Sequence, residues 1–381
     1  MNHRFLAIVL ILTFLVLPTS VLGQTVENLE VPTEHVKGRV IKIIEEKRNF
    51  DYGGGMKADM QRFEVEILDG TYKGKIIESE NMMFGNPAYD LWVKEGDRIL
   101  MFLEEQDGVM QAHMMDFIRD RYIYLLVAAF ILLLILIGRM QGVKSVITLG
   151  LTVLIIGKVM LPLLFQGYSP VPLALITGLA VSTITFLIVC GFTKKTLAAS
   201  LGTLGGLTTA ALLSIFISSL ANLKGLSGEE AQMLLYIPQE ITFNFRGLLL
   251  AGIIIGALGA VMDVSISIAS AMEEIHKKSM NLSFKELINS GMNVGKDIMG
   301  TMSNTLILAY TGASIPLFLL LMAYEQPFIK LMNMDFLATE LVRALSGSIG
   351  LIFAIPITAI ISGFLLRPKS DHALEKDHQN Q

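Results

Sequence analysis

The spacing of apolar residues divides the chain into two parts. Between about residues 31 and 116, apolar and polar positions alternate in short runs, which is typical of half-buried β-strands. From Tyr122 to Leu366 the apolar residues form long segments with few charges, which indicates membrane-spanning helices. The pattern therefore predicts a mainly α-helical polytopic membrane protein with a small β domain at its N-terminal side.

The β domain is predicted to contain five strands, because turn sequences such as Asp69-Gly70 and Gly85-Asn86-Pro87 separate the alternating runs. The predicted strands are Val36–Ile44, Arg62–Leu68, Lys75–Glu80, Arg98–Glu104 and Met110–Asp116. Five short strands within residues 31–116 favour a small closed barrel that is similar to an OB-fold.

Seven apolar segments follow, each close to the roughly 20 residues that a helix needs to cross the hydrocarbon core. They are predicted at Tyr122–Ile137, Val143–Phe165, Val171–Phe192, Leu197–Leu220, Gly247–Ala269, Thr301–Ala323 and Leu341–Leu366, within a membrane domain of residues 122–366. Ser283 and Glu286 have the spacing of a capping box. This spacing predicts a short, separate helix on the inner membrane surface, within Asn281–Lys296.

The two ends of the chain are predicted to lie outside both domains. Met1–Gly23 has one arginine followed by an apolar core, which is typical of a secretory signal peptide; an uncleaved anchor is the alternative. Residues 367–381 are polar and are predicted to form a disordered cytoplasmic tail.

The charge distribution predicts the orientation of the protein in the membrane. From Gln24 to Arg121 the chain has 20 acidic and 13 basic residues, a net charge of −7 in a chain whose total is −4. The predicted inner connections together with the C-terminal tail carry 11 Lys and Arg residues, and the predicted outer connections carry 4. Because basic connections stay in the cytoplasm, we expect an extracytoplasmic β domain and a cytoplasmic C-terminus.

The fifth apolar segment contains one carboxylate, Asp263, within the stretch between Arg246 and Glu273. An ionisable side chain is costly in hydrocarbon and normally faces protein or water, so Asp263 is the main candidate for a functional residue. Steps of three or four residues place small and polar residues on its helical face: Gly252, Gly256, Gly259, Ser267 and Ser270.

Polar residues on other segments are expected at the depth of Asp263, because a helix rises about 1.5 Å per residue. We predict a polar intramembrane site formed by Asp263, Ser267, Ser270, Thr301, Asn304 and Thr358. Helix packing is predicted at Gly252, Gly256 and Gly259, and on the fourth segment at Gly202, Gly205 and Gly206. The alternative is that Asp263 is a neutral, hydrogen-bonded acid that serves only helix packing.

Several classes of chemistry have no support in the sequence. The chain has no HExxH motif, Walker A loop or GxSxG motif, so no catalytic residues, metal or cofactor are predicted. The single cysteine, Cys190, excludes an intrachain disulfide and a Cys-based zinc site. No basic patch favours nucleic acid. The expected partners are the lipid bilayer, a small solute or ion, and a membrane or envelope protein.

Two sequence stretches carry a resemblance to a known family. They are GALGAVMDVSISIAS, from Gly256 to Ser270, and GKDIMGTMSNTLILAYTG, from Gly295 to Gly312. Together they resemble the YibE/F-like family of bacterial multipass membrane proteins, and the acidic β domain also fits. The resemblance implies about seven spans in a bacterial inner membrane, but it implies no defined activity.

Two functions remain open at this stage. The first is a permease or transport component in which Asp263 is the titrating group. The second is a non-transporting envelope sensor or assembly factor whose β domain binds a partner. An intramembrane enzyme is not expected, because no catalytic set is present.

Overall fold

The computed structural model describes residues 33–53, 56–106, 109–237, 242–279, 282–324 and 326–366. The predicted signal segment Met1–Gly23 and the predicted tail 367–381 lie outside these residues. The chain separates into two compact units, which divide between Leu133 and Leu134.

The N-terminal unit contains a five-stranded antiparallel sheet with the order β3-β2-β1-β4-β5. Its strands are β1 (Thr33–Gly53), β2 (Met56–Ile67), β3 (Ile76–Met83), β4 (Arg98–Gln106) and β5 (Val109–Phe117). Alternation explains the sheet, because Phe63, Val65 and Ile67 on β2 are buried while the residues between them are partly exposed. These side chains form one core with residues of β1 and β4, namely Val36, Val40, Ile99, Met101 and Leu103.

Strand β1 is longer than the predicted Val36–Ile44, because it continues to Gly53. Its pairing with β2 shifts register at four places between Val40 and Gly53. Each irregularity changes the face on which the following side chains lie. The alternating pattern is therefore lost in the sequence although the hydrogen-bonded pairing continues.

Side-chain hydrogen bonds connect parts of the β domain that are distant in sequence. The Ser79 hydroxyl on β3 donates to the carbonyl of Ala112 on β5 at 2.7 Å, so the two edge strands lie close together. The buried amide of Gln61 donates to the Val93 carbonyl and accepts from its N–H, at 2.8 and 2.9 Å. After β5, the Arg119 guanidinium donates to Asp116 and lowers the pKa of that carboxyl.

Helices joined by short connections form the rest of the described chain. They are α1 (Asp120–Ile155), a π-helical turn (Ile156–Met160), α2 (Leu161–Phe165), α3 (Pro170–Cys190), α4 (Lys194–Leu220), α5 (Glu229–Met233), a 3-10 turn (Leu234–Tyr236), α6 (Phe245–Lys278), α7 (Phe284–Ala313), α8 (Ile315–Ala323), α9 (Phe328–Met332) and α10 (Asp335–Leu366). Five helical stretches among the described residues are long and apolar enough to cross a membrane, or six if α7 and α8 form one broken span. The protein is therefore a membrane protein.

Helix α1 contains a sharp reversal at Arg139, whose φ of 47° and ψ of −126° are not helical. A Cβ atom added to Gly142 would lie 3.1 Å from the Cα of Ile135. In a straight helix these two residues are separated by about 10 Å along the axis. The chain therefore folds back at Arg139, between the first two apolar segments of the sequence.

Helix α7 differs from the two elements that the sequence predicted in this region. The capping box is present, because the Glu286 N–H donates to Ser283 Oγ and the Ser283 N–H donates to the Glu286 carboxylate. The helix does not end near Lys296, however, and continues to Ala313. The chain then bends by 57° into α8. Pro316 lies in the first turn of α8. If α7 and α8 were one continuous helix, its ring would clash with the backbone of the preceding turn.

The centre of the helical unit is a close contact between α4 and α10. Small residues recur every fourth position on both helices and lie opposite one another: Gly202 with Thr358, Gly206 with Ala354, and Ala210 with Gly350. A Cβ atom at Gly206 would approach the Cβ of Ala354 to 2.8 Å. Small residues thus let the two backbones come close together, and α6 packs beside them through Val261.

Candidate functional site

On α6 the predicted polar face lies on the outside of the helical unit. Asp263 and Ser267 are exposed, and Ser270 is partly exposed. The opposite side of the helix is buried and contains Val261, Val264, Ser265 and Ile268. The candidate carboxylate is thus exposed among the residues that the structure describes, although its helix is otherwise deeply packed.

The three glycines predicted to pack on this face have no other helix backbone against them within the described chain. Gly252, Gly256 and Gly259 are all exposed. A Cβ atom at Gly256 would lie 2.5 Å from the Tyr310 hydroxyl, and one at Gly252 would lie 3.9 Å from an Arg343 nitrogen. At Gly259 a Cβ atom would meet nothing described within 4 Å. Helix α6 instead buries its larger Val, Ile and Leu side chains, which recur along the helix with the same period as the glycines.

Helix α7 brings Thr301 and Asn304 to the level of Asp263. The two helices run antiparallel, with Gly295 of α7 beside Ile268 and Tyr310 beside Gly256. Interpolation between these contacts puts Asp263 level with roughly residues 300–303 of α7, at about 1.5 Å per residue. We use the name open polar face for the exposed residues Gly259, Asp263, Ser267, Gly300, Thr301, Asn304 and Thr305.

The polar side chains at the middle of this face have free hydrogen-bonding capacity. No hydrogen bond or ion pair joins the side chain of Asp263 or Asn304 to any other residue that the structure describes. Thr301 and Thr305 donate only to carbonyls within α7, at 3.0 and 2.8 Å. A carboxylate, an amide and hydroxyl oxygens are therefore available to bind a proton, a cation or another polar group.

Thr358 lies apart from the open polar face. It is fully buried on α10 against Gly202, while Gly205 faces Ile357 and Gly206 faces Ala354. The structure therefore separates the predicted set into two groups. Asp263, Ser267, Thr301 and Asn304 are exposed residues at neighbouring levels of α6 and α7, whereas Thr358 and the α4 glycines belong to the closely packed α4–α10 contact.

Buried hydroxyls surround that contact. Within the described residues, five of them have no hydrogen-bond partner for the side-chain oxygen: Ser200, Thr203, Ser265, Thr358 and Ser362. The four-residue spacing of Gly202 and Gly206 in the sequence indicates close helix packing, but it does not show which serines and threonines lie beside this contact. The sequence predicted Thr358 as a polar site residue, but it did not predict the other four hydroxyls.

An ion pair beside the α7–α8 bend was also not predicted. Glu340 and Arg343 on α10 approach to 3.4 Å, and their side chains are only 27 % and 30 % exposed. The Ser314 hydroxyl, at the bend itself, donates to Glu340 at 3.5 Å. Within the described chain, Arg343 Nε and the Tyr310 hydroxyl are buried without a hydrogen-bond partner. The i,i+3 spacing of Glu340 and Arg343 was the available signal, but the two residues lie on either side of the start of the predicted span Leu341–Leu366.

A second ion pair lies at the opposite end of α6. Lys195 of α4 approaches Glu273 to 3.3 Å, and the carboxylate is 16 % exposed on its side chain. Lys277 approaches the other oxygen of Glu273 at 3.6 Å. The pair joins helices that are distant in sequence, so no local pattern could have indicated it. Among the described residues, no three His, Cys, Asp or Glu side chains form a group that could hold a metal ion.

The fold and this arrangement define a membrane protein with several apolar helices that follow an antiparallel β-sheet domain. Residues 126–368 match the YibE/F-like protein family, and residues 33–117 match the YibE/F family N-terminal domain. The chain belongs to the YibE/F-like family, which confirms the resemblance of its two sequence stretches. No curated protein and no solved structure matches the chain.

Proposed function

We propose that this protein is a permease or a component of a transport system in the bacterial inner membrane, with Asp263 as its functional carboxylate. One observation carries the proposal: an exposed acidic side chain lies in the middle of an apolar helix, at the level of the exposed Thr301 and Asn304 on the neighbouring helix. Intramembrane acids with polar neighbours characterise ion and proton pathways. The proposal includes no enzymatic activity.

The proposed topology has seven spans, with the β domain outside the cytoplasm and the C-terminus inside. Two of the spans are the halves of α1 on either side of Arg139, and α7 with α8 is one broken span. The reversal at Arg139 and the excess of basic residues in the proposed inner connections support this topology. The proposed β domain is an OB-like barrel, which is supported by the strand order and by the Ser79 hydrogen bond between β3 and β5.

In this proposal Asp263 binds and releases a proton or a small cation, and Asn304 and Thr301 supply further oxygen ligands. The bend between α7 and α8 gives these helices a place at which they can move relative to α10. Broken helices next to charged residues recur in transporters, where they surround the transported ion. Here the bend lies beside the Glu340–Arg343 pair.

The proposal is tested by ion flux through the purified full-length protein in proteoliposomes. Asp263→Asn keeps the size of the side chain but removes its charge and its titration. We expect proton, Na⁺ or K⁺ flux to fall at least about tenfold. The free-energy change that corresponds to a tenfold effect lies within the range that one intramembrane charge can contribute. The matched control is Asp335→Asn, because Asp335 is an exposed carboxylate in the first turn of α10 and is not part of the open polar face. Unchanged flux in Asp263→Asn at equal protein content would contradict the proposal.

A second candidate function is a sensor or assembly factor whose β domain binds an envelope partner. A cluster of exposed aromatic side chains favours it: the rings of Tyr52 and Phe84 meet edge to face at 5.6 Å, and both residues are 55 % exposed. Aromatic side chains of this kind are enriched at protein interfaces. Under this function, removal of residues 31–116 abolishes the cellular phenotype while Asp263→Asn leaves it unchanged.

A further inference from the structure

The open polar face is incompatible with a lipid environment. An aspartate at the centre of a membrane helix costs about 2.5–3.5 kcal/mol when it faces the bilayer, and hydroxyls and amides also lose hydrogen bonds there. The face contains Asp263 and Asn304, with no described partner for either side chain. Some polar surface must therefore cover it when the protein is in a membrane.

The most apolar part of the chain cannot provide this cover. From Leu125 to Ile137 the first half of α1 contains only Leu, Val, Ala, Phe and Ile. A helix of this composition has no side-chain donor or acceptor, so it would leave Asp263 and Asn304 without hydrogen bonds. The missing partner must carry polar groups at the same depth as Asp263.

We propose that a second copy of this chain covers the open polar face, with α6 of each copy against α7 of the other. A two-fold axis perpendicular to the membrane preserves the depth of every residue. Because Asp263 is level with roughly residues 300–303 of its own α7, it is also level with those residues in the second copy. The Asp263 carboxylate then accepts from Asn304 and Thr301 of the partner subunit.

Open space at two glycines and polar complementarity support a second copy as the partner. Cβ atoms at Gly259 and Gly300 would meet nothing within 4 Å in the described chain, so a helix can approach closely at these positions. The face also contains both an acceptor, Asp263, and a donor, the Asn304 amide, at similar depth. Such a surface is self-complementary, as a two-fold interface requires.

The resulting arrangement is a bundle of four helices in which each neighbour runs antiparallel to the next. The two Asp263 side chains lie on diagonally opposite helices, which keeps the like charges apart. This inference rests on the proposed function in one respect, because the two copies together complete the proposed Asp263 site. Its test measures association rather than flux, so either idea can fail alone.

Disulfide cross-linking between two differently tagged full-length copies tests the interface in membranes. Both copies carry Cys190→Ser, one carries Gly259→Cys, and the other carries Thr305→Cys. The antiparallel contacts of α6 and α7 place these two positions at nearly the same depth. A disulfide requires Cα atoms within about 7 Å, so it forms only if the helices are adjacent.

We expect the mixed disulfide to exceed a control pair by at least about tenfold, which corresponds to about 1.4 kcal/mol. The control pair is Leu212→Cys with Thr305→Cys, because Leu212 is 63 % exposed on α4, away from the face. A mixed disulfide no more abundant than the control would overturn the proposal, and so would an equal yield from two Gly259→Cys copies, since diagonal positions are too far apart.

A second measurement is the mass of the protein in lipid nanodiscs or mild detergent. The wild-type chain is expected to be dimeric, and Gly259→Trp is expected to lower the dimer fraction at least about fivefold because the indole fills the interface. Leu212→Trp is the control and keeps the wild-type dimer fraction. A wild-type chain that is monomeric in nanodiscs at all concentrations would refute the second copy and assign the cover to a different protein or to water.

Discussion

Individual glycines in the membrane helices have different roles although their spacing is similar. Gly202 and Gly206 on α4 are buried against Thr358 and Ala354. Gly259 on α6 is exposed, and an added Cβ atom would meet nothing described within 4 Å. Four-residue spacing therefore identifies a surface that permits close approach, but it does not tell whether the same chain or a second molecule makes that approach.

Substitution of Gly202 by alanine is expected to destabilise the protein. The new methyl group would clash with Thr358 Oγ1 and lie 2.9 Å from its Cβ, so the α4 and α10 backbones must separate. The expected loss is about 1–3 kcal/mol in the free energy of unfolding, as for other overpacked cores. Thermal or denaturant unfolding of the purified protein in detergent measures it.

The matched control for Gly202 is Gly150→Ala, because Gly150 is an exposed glycine in α1 with nothing within 4 Å of an added Cβ. Alanine is favoured over glycine by about 1 kcal/mol in a helix, so this variant is expected to be as stable as the wild type or more so. Equal stability losses in both variants would show that the α4–α10 contact is not specifically tight.

At the scale of elements, hydropathy predicted the positions of the long helices but not their continuity. The apolar segment Thr301–Ala323 is in fact the end of α7 followed by α8, with the bend at Ser314. Residues before Thr301 are polar enough to suggest a surface helix, yet α7 continues through them because Gly291 and Gly295 pack against Met272 and Ile355. Such tertiary contacts are not visible in a local pattern.

Irregular strands and tertiary ion pairs were missed for a related reason. The irregularities of β1 move side chains from one face to the other, so a strand of 21 residues has alternation over only part of its length. The contact of Lys195 with Glu273 joins α4 to α6 across almost 80 positions in sequence. Periodicity reports on one element at a time, whereas these features depend on two.

The Glu340–Arg343 pair is expected to stabilise the bend between α7 and α8. Removal of one partner leaves the other charge partly buried without compensation, so Glu340→Gln and Arg343→Gln should each cost about 1–3 kcal/mol. The double variant should lose less than the sum of the two, with a coupling free energy of about 0.5–3 kcal/mol. Unfolding in detergent measures all three, and Lys224→Gln, at an exposed lysine, is the neutral control. Strictly additive losses would mean that the two side chains do not interact.

At the scale of the whole molecule, the helical rise relates the levels of residues on different helices but not the direction in which each side chain points. It predicts similar depths for Asp263 and Asn304, and the contacts of α6 with α7 put Asp263 level with roughly residues 300–303. Whether a side chain faces the protein interior or the outside depends on which neighbouring helices surround its own helix. Thr358 illustrates this, because it lies at a suitable depth but is buried between α4 and α10.

The number of spans depends on the reversal at Arg139. As a straight helix, the 46-residue stretch Asp120–Phe165 would be about 69 Å long, more than twice the roughly 30 Å of hydrocarbon. In the proposed topology, the reversal at Arg139 instead lets the two halves of α1 cross the membrane separately, with Arg139 on the cytoplasmic side. This difference changes which side of the membrane every later connection occupies.

Cysteine labelling of intact and permeabilised cells distinguishes these topologies. In a Cys190→Ser background, Met140→Cys and Phe192→Cys are expected to react with a membrane-impermeant maleimide only after permeabilisation, whereas Tyr168→Cys reacts in intact cells. All three residues are exposed near the ends of helices, at 72 %, 72 % and 57 %, so access to the reagent is set by the membrane side rather than by packing. Phe192 is the control for Met140, because two spans separate them and both must then lie on the cytoplasmic side. If Met140→Cys and Tyr168→Cys react from the same side, the second half of α1 does not cross the membrane and the seven-span topology fails.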